Sequence, residues 1–260
     1  MRIPIYQIDA FTNEQFKGNP AAVCPLPEWI NEDVMQKIAT ENNLSETAFF
    51  VQAPSGYELR WFTPKGEIDL CGHATLATAF VICTYLDHEG KDIAFQTKSG
   101  LLEVSREGSL FTLLFPSREG EKCDEIPESL VKGLGKAPKE VLKSRDYMAV
   151  FETEQDVLDL ELNMEELKKL DAFGVIATAK GKEVDFVSRF FAPKAGVDED
   201  PVTGSAHCTL IPYWKKKLNK RELTALQVSE RGGKLYCADL GEKVKMSGEA
   251  VTYLEGHINV

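Results

Sequence analysis

The chain is poor in histidine, with four in 260 residues, and none of its six cysteines belongs to a C-x-x-C pair. The histidines, at 73, 88, 207 and 257, nowhere show the spacing of a helical metal site. The cysteines, at 24, 71, 83, 123, 208 and 237, follow neither a zinc-ribbon nor a disulfide pattern. Neither a resident metal nor a disulfide framework is expected. Positive charge is also short. Thirty Lys and Arg against 41 Asp and Glu leave a net charge of −11, which repels a phosphate backbone and argues against nucleic acid as a partner. The longest basic run, Lys215 to Lys217, reads as the solvated end of a helix. No apolar stretch is long enough to span a bilayer, and the opening MRIPIYQIDAF goes straight into strand-like alternation with no export-signal pattern. A cytoplasmic protein with reduced thiols and no membrane partner is the expectation.

What is present is ordinary globular material, 43% hydrophobic and 27% charged, enough for one large domain or two of ordinary size. PIYQIDAFT reads as a strand and KGNPAA (17–22) as turn chemistry. Residues 28–43 carry Ile30, Val34, Met35 and Ile38 at helical spacing. TAFFVQA and YELRWFT return to strands, and 92–115 forms three strand-like runs broken at Ser99-Gly100 and Glu107-Gly108, an antiparallel meander. The second half repeats the rhythm. SRDYMAVFET, VLDLEL, GVIATAKG and VDFVSRFFA are strand-like and NMEELKKLDAF is a short helix. After a further helix come LTALQVSE, KLYCADL, EKVKMSG and AVTYLEGHINV as strands.

One segment occurs twice. LRWFTPK (59–65) aligns with SRFFAPK (188–194), matching Arg60 to Arg189, Phe62 to Phe191, Pro64 to Pro193 and Lys65 to Lys194. Beyond it CGHATL aligns with TGSAHCTL, matching Gly72 to Gly204, His73 to Ser205 and Ala74 to Ala206. Each copy runs strand, loop, Gly-x-Ala, apolar helix. The first helix, HATLATAFVICTYL, is apolar on nearly every side, so strands must wrap it. The fold class implied is α+β: two pseudo-symmetric halves, each a curved antiparallel barrel-like sheet around a central helix. The halves are expected at 1–115, with the last strand 250–260, and at 116–249. An approximate two-fold would let the two helix starts face each other across a cleft. Their unpaired N–H groups would then form a two-sided site for a carboxylate or enolate. Gly72 and Gly204 would let backbone approach the ligand, and His73 and Ser205 would each add a side-chain hydrogen bond.

Four residues carry candidate chemistry. Cys71, beside a helix start, reads as an activated thiol or as a small buried residue, and its counterpart is Thr203. His73 reads as a helix cap or as a hydrogen-bond donor and proton shuttle. Asp200, in VDEDPVTGSAH, reads as a solvated turn former or as a proton carrier or orienter near Gly204 and Ser205. Glu46, in NLSETAFF, reads as a polar turn residue or as a partly desolvated general base flanked by Leu44, Ala48, Phe49 and Phe50.

DAFT with GNPAAV, NLSETAFF, DLCGHATLA and EDPVTGSAH, in this order and at these intervals, resemble the phenazine-biosynthesis (PhzF-like) family of isomerases along essentially the whole chain. The resemblance implies the diaminopimelate epimerase-like fold, the site between two halves, and no metal or cofactor. It places the base on Glu46, the motif histidine on His73, and the motif aspartate and serine on Asp200 and Ser205. Asn19 and Ser45 are implied to line the pocket. The two-cysteine chemistry of the epimerase relatives is not matched, because Thr203 stands where the second region lies. The implied function is proton movement on a small carboxylic acid substrate through a carbanion- or enolate-like intermediate, in a homodimer. Two alternatives stay open. One is a racemase or epimerase of an amino or hydroxy acid with Cys71 or His73 as second base. The other is a non-catalytic small-carboxylate-binding protein.

Overall fold

Two compact units make up the chain: residues 1–114 with 247–260, and residues 115–246. The computed structural model describes every residue except 87 and 89.

The first unit runs β1 (Arg2–Ala10), β2 (Asn19–Leu26), α1 (Glu32–Asn42), β3 (Glu46–Ala53), β4 (Gly56–Thr63), β5 (Gly66–Ile68), α2 (Gly72–Tyr85), β6 (Asp92–Thr97), β7 (Gly100–Glu107) and β8 (Leu110–Pro116). The second runs β9 (Glu121–Lys122), α3 (Glu128–Leu134), β10 (Glu140–Lys143), β11 (Tyr147–Val150), α4 (Glu154–Leu158), α5 (Met164–Leu167), β12 (Val175–Lys180), β13 (Phe186–Phe191), α6 (Gly204–Leu218), β14 (Glu222–Gln227), β15 (Gly233–Asp239) and β16 (Lys243–Gly248). The last strand, β17 (Ala250–Asn259), pairs antiparallel with β1, from Arg2↔Asn259 to Ala10↔Ala250.

The sequence repeat is a repeat of topology. In the first unit β1/β2 is antiparallel, β2/β3 parallel, β3/β4 antiparallel, β4/β6 parallel and β6/β7 antiparallel. In the second, β10/β11, β11/β12, β12/β13, β13/β14 and β14/β15 follow the same alternation. The parallel pairs arise because a helix carries the chain back between them: α1 between β2 and β3, α2 between β4 and β6. Arg60 shows the same duplication at side-chain level. It binds Glu67 through two 2.7 Å hydrogen bonds and lies 5.2 Å over the Phe62 ring. Arg189 binds Glu199 through two 2.8 Å hydrogen bonds and lies 5.1 Å over Phe191.

Each sheet is covered on both faces. On one face of the first, Met35, Ile38 and Ala39 of α1 pack on Ile3, Ile5, Cys24, Phe49 and Phe62. Alternation along the strands sends Ala48, Phe50 and Trp61 to the opposite side. The central helix α2 packs on β1, β2 and β3, with every residue from His73 to Ala79 buried. In the second unit α3, α4 and α5 cover Val141, Ala149, Ala177, Val187 and Phe191. There α6 is the central helix, and its Trp214 stacks on Phe186 at 5.8 Å.

Three local readings change. KGNPAA is only partly turn: β2 begins at Asn19, and Pro20 is accommodated as its second residue, at the head of the strand. VLDLEL is not a strand. Thr153 and Asp156 form a capping box that starts α4, and local capping overrides the alternating pattern. Helix α3 and strand β10 fall in a stretch that carried no expectation.

Candidate active site

In the first unit the expected site residues lie where strands β2 and β3 start and where α2 begins. Asn19 opens β2 and is fully buried, and Glu46 opens the parallel neighbour β3, in register with Ala21. Ser45, half-buried, precedes it. Gly18 delivers the chain into β2 with φ of 64°. A Cβ there would lie 2.2 Å from the Ala10 carbonyl oxygen, so only glycine fits.

Helix α2 starts at Gly72 with Cys71 as N-cap, and no side chain caps its first turn. Its first N–H groups lack intrahelical partners, as at any helix start. His73 reaches back to β3: its Nε2 lies 3.1 Å from Glu46 Oε2, the two side chains being 7% and 15% exposed. Its Nδ1 lies 3.5 Å from Cys71 Sγ. Burial alone would push the His73 imidazole down, but Cys71 and Glu46 outweigh it and hold the ring well above the usual imidazole range. The Cys71 thiol is itself pushed up, first by burial and then by Glu46. One ligand atom each from Glu46, Cys71 and His73 lies within 4.8 Å of the others, a donor set able to hold a metal ion.

In the second unit α6 starts at Gly204, again with no side-chain cap. The loop before it is tied down by Gln227, at the end of β14. Gln227 Nε2 donates to the Asp200 carbonyl at 2.7 Å, and Gln227 Oε1 accepts from the Thr203 N–H at 2.8 Å. Thr203 Oγ1 donates to the Asp200 carboxylate at 2.5 Å. Ser205 Oγ accepts from Arg145 Nη2 at 3.0 Å. That guanidinium also binds the fully buried Asp146 through Nε and Nη2, and sits 4.5 Å over Phe173. One turn along, His207 Nδ1 donates to the Thr203 carbonyl at 2.8 Å, so Nε2 is the unprotonated nitrogen. Burial pushes this imidazole down to about 4.

The expected residues thus fall into two groups: Glu46 with His73, near Asn19, Ser45 and Gly72, and Asp200 with Gly204 and Ser205 at the start of α6. Sequence reasoning missed Arg145, Asp146 and Gln227. The charged pair Arg145-Asp146 opening an apolar strand was the available signal. Gln227 had none, because its role depends on β14 ending beside α6.

Two α+β halves, each holding a buried central helix, define a diaminopimelate epimerase-like protein. The fold is shared by a hydroxyproline epimerase of Agrobacterium vitis at 8% identity, covering 99% of this chain and 92% of that one, with a TM-score of 0.62. Residues 8–256 match the phenazine biosynthesis-like protein family. The chain belongs to that family. It is 48% identical over 260 residues, the full length of both chains, to an uncharacterized isomerase of Pseudomonas aeruginosa. An isomerase of Halalkalibacterium halodurans, likewise named uncharacterized, is 48% identical over 99% of both chains. The crystal structure of a PhzF-family phenazine biosynthesis protein of Enterococcus faecalis superposes with a TM-score of 0.98 at 47% identity, covering 100% of both chains. Among the described residues no helix is long and apolar enough to cross a membrane.

Proposed function

We propose that the protein is an isomerase that moves a proton on a small carboxylic acid, with Glu46 as general acid and base. The buried contact of Glu46 with His73 at 3.1 Å carries this reading. It places a carboxylate, a proton-bearing imidazole and an uncapped helix start together, which is the equipment of carbon-acid chemistry. Glu46 accepts the proton from carbon, and the electron pair left behind is delocalised into the substrate's carboxylate. Amide N–H groups at Gly72 and His73 stabilise the developing negative charge. His73, whose Nε2 lies 3.1 Å from the Glu46 oxygen, exchanges the proton with it. The proton then returns at another carbon. Asn19 and Ser45 bind polar groups of the substrate. The chain supplies base, donor and anion stabilisation, and no electrons leave the substrate, so the step calls for neither metal nor cofactor. Kinship with proteins named isomerases supports the same reaction class.

The test is deuterium incorporation from D2O into a panel of small carboxylic acids. Glu46→Gln should lower exchange by roughly 10²–10⁴-fold, the range general acid–base catalysis supplies. An unchanged exchange rate would remove Glu46 from the mechanism. The Cys71 thiol at 3.5 Å from His73 favours one second reading, epimerisation with Cys71 or His73 as the opposing base. Inversion at one carbon would select it, and a moved double bond would select isomerisation. A wild-type protein that binds a carboxylic acid and exchanges nothing would be a binding protein.

A further inference from the structure

Cys71 is left over by the proton-transfer chemistry. Its counterpart at the second helix start is Thr203, and nothing in the helix-start design requires sulfur. Yet it is buried against the two groups that matter most. Sγ lies 3.5 Å from His73 Nδ1, and donor atoms of Cys71, His73 and Glu46 all lie within 4.8 Å of one another. We propose that these three residues form a binding site for zinc(II), and that zinc there shuts the enzyme off.

The donor set carries the assignment. Thiolate, imidazole and carboxylate together suit zinc and poorly suit magnesium or calcium, which take all-oxygen shells. Tetrahedral zinc bonds of about 2.0–2.3 Å put neighbouring donors about 3.3–3.8 Å apart. The sulfur–imidazole separation already falls in that range, and the Glu46–His73 contact, at 3.1 Å, is just under it. These two contacts use opposite ring nitrogens, and one metal takes only one of them. The third ligand must therefore close in, from a separation of at most 4.8 Å, by no more than about 1.5 Å. That is within reach of a side-chain rotation by Glu46, whose residual 15% exposure gives solvent an approach to the site. Three protein ligands leave the fourth position for water.

Binding is a substitution that balances. Zinc takes the Cys71 sulfur, whose proton goes to solvent, together with one His73 nitrogen and one Glu46 oxygen, and any proton on those atoms is also released. The oxygen that would accept a proton from carbon is then bound to metal. Metal occupancy and proton transfer exclude each other. The inhibition rests on Glu46 being the base, but the binding site does not.

Cobalt(II) is the probe, because a thiolate ligand gives it a near-ultraviolet charge-transfer band and a tetrahedral site gives it intense visible bands. Chelator-washed full-length protein titrated with cobalt should develop both at one equivalent, and zinc should bleach them. Cys71→Ser should lose the charge-transfer band, and Glu46→Gln should weaken cobalt binding at least tenfold, with circular dichroism confirming that both variants are folded. A band that survives Cys71→Ser, or none at one equivalent in the wild-type protein, overturns the site. If the band forms but zinc leaves deuterium exchange intact, the shut-off fails together with Glu46 as base, while the metal site stands on its spectrum.

Discussion

His207 gives the sharpest quantitative test of the structure. It lies in the first turn of α6, fully buried, donating from Nδ1 to the Thr203 carbonyl, and Nε2 has no partner among the described residues. Charging that ring would put an unpaired cation into an apolar setting beside Phe186 and Trp214. Its folded value is pushed from 6.5 down to about 4. The sign follows. Between these values the unfolded chain binds a proton that the folded chain refuses, so this contribution to stability is complete above about pH 6.5 and is lost as pH falls toward 4. At about 1.4 kcal/mol per pH unit the whole loss is about 3 kcal/mol, most of which falls between pH 7 and pH 4.5. Other groups titrate over the same interval, so the assay is a difference. Urea unfolding of wild type and His207→Gln is measured at both pH values, following tryptophan fluorescence and circular dichroism. Gln keeps a donor for the Thr203 carbonyl but cannot be protonated, and it should lose less stability on acidification by about that amount. A wild-type and variant pair with acid sensitivities within about 0.5 kcal/mol would refute the buried, neutral histidine.

The other histidine has the opposite sign. The folded value of His73 is raised, so its stabilisation is present below pH 6.5 and is lost as pH rises through the raised value. His73→Asn should flatten the alkaline side of the stability profile in the same urea assay. Arg145→Met leaves Asp146 buried and unpaired, and should cost about 2–3 kcal/mol, because the arginine itself is 35% exposed. Adding Asp146→Asn should recover most of that loss in a double-mutant cycle, and additive losses would show the pair to be uncoupled. Gly18→Ala forces a Cβ to within 2.2 Å of the Ala10 carbonyl oxygen at positive φ. A loss of roughly 2–4 kcal/mol is expected by thermal or urea unfolding, and a stable Gly18→Ala protein would mean that the β1–β2 turn is not built as described.

How much of this was readable in the sequence depended on how local the cause was. The meander β6–β8, the periodic α1 and the all-apolar α2 announce themselves because each follows from a single run of residues. Strand β2 did not, since Pro20 and Pro25 look like loop chemistry until the strand's place beside β1 and β3 is known. The capping box at Thr153 was local and legible, yet the alternating leucines after it suggested a strand; the helix it starts takes Val157 and Leu158 out of that alternation. The proximity of Glu46 to His73 could not be read from spacing, because it arises from β3 beginning at the same end of the sheet as α2.

The duplication explains why one copy alone misleads. Both units hold an arginine over a phenylalanine and against a glutamate, then open a buried helix with Gly-x-Ala and no side-chain cap. What the copies share is scaffold, and selection for the scaffold leaves the residue after the glycine free to differ. In the first copy that residue is His73, which faces a carboxylate; in the second it is Ser205, which faces a guanidinium held by Asp146. The first helix start thus faces a carboxylate and the second a guanidinium. That opposition distinguishes the two copies at one structural position. It also locates the anomaly: Cys71 belongs to neither the shared scaffold nor the opposed contacts, and a chemistry of its own is what its position asks for.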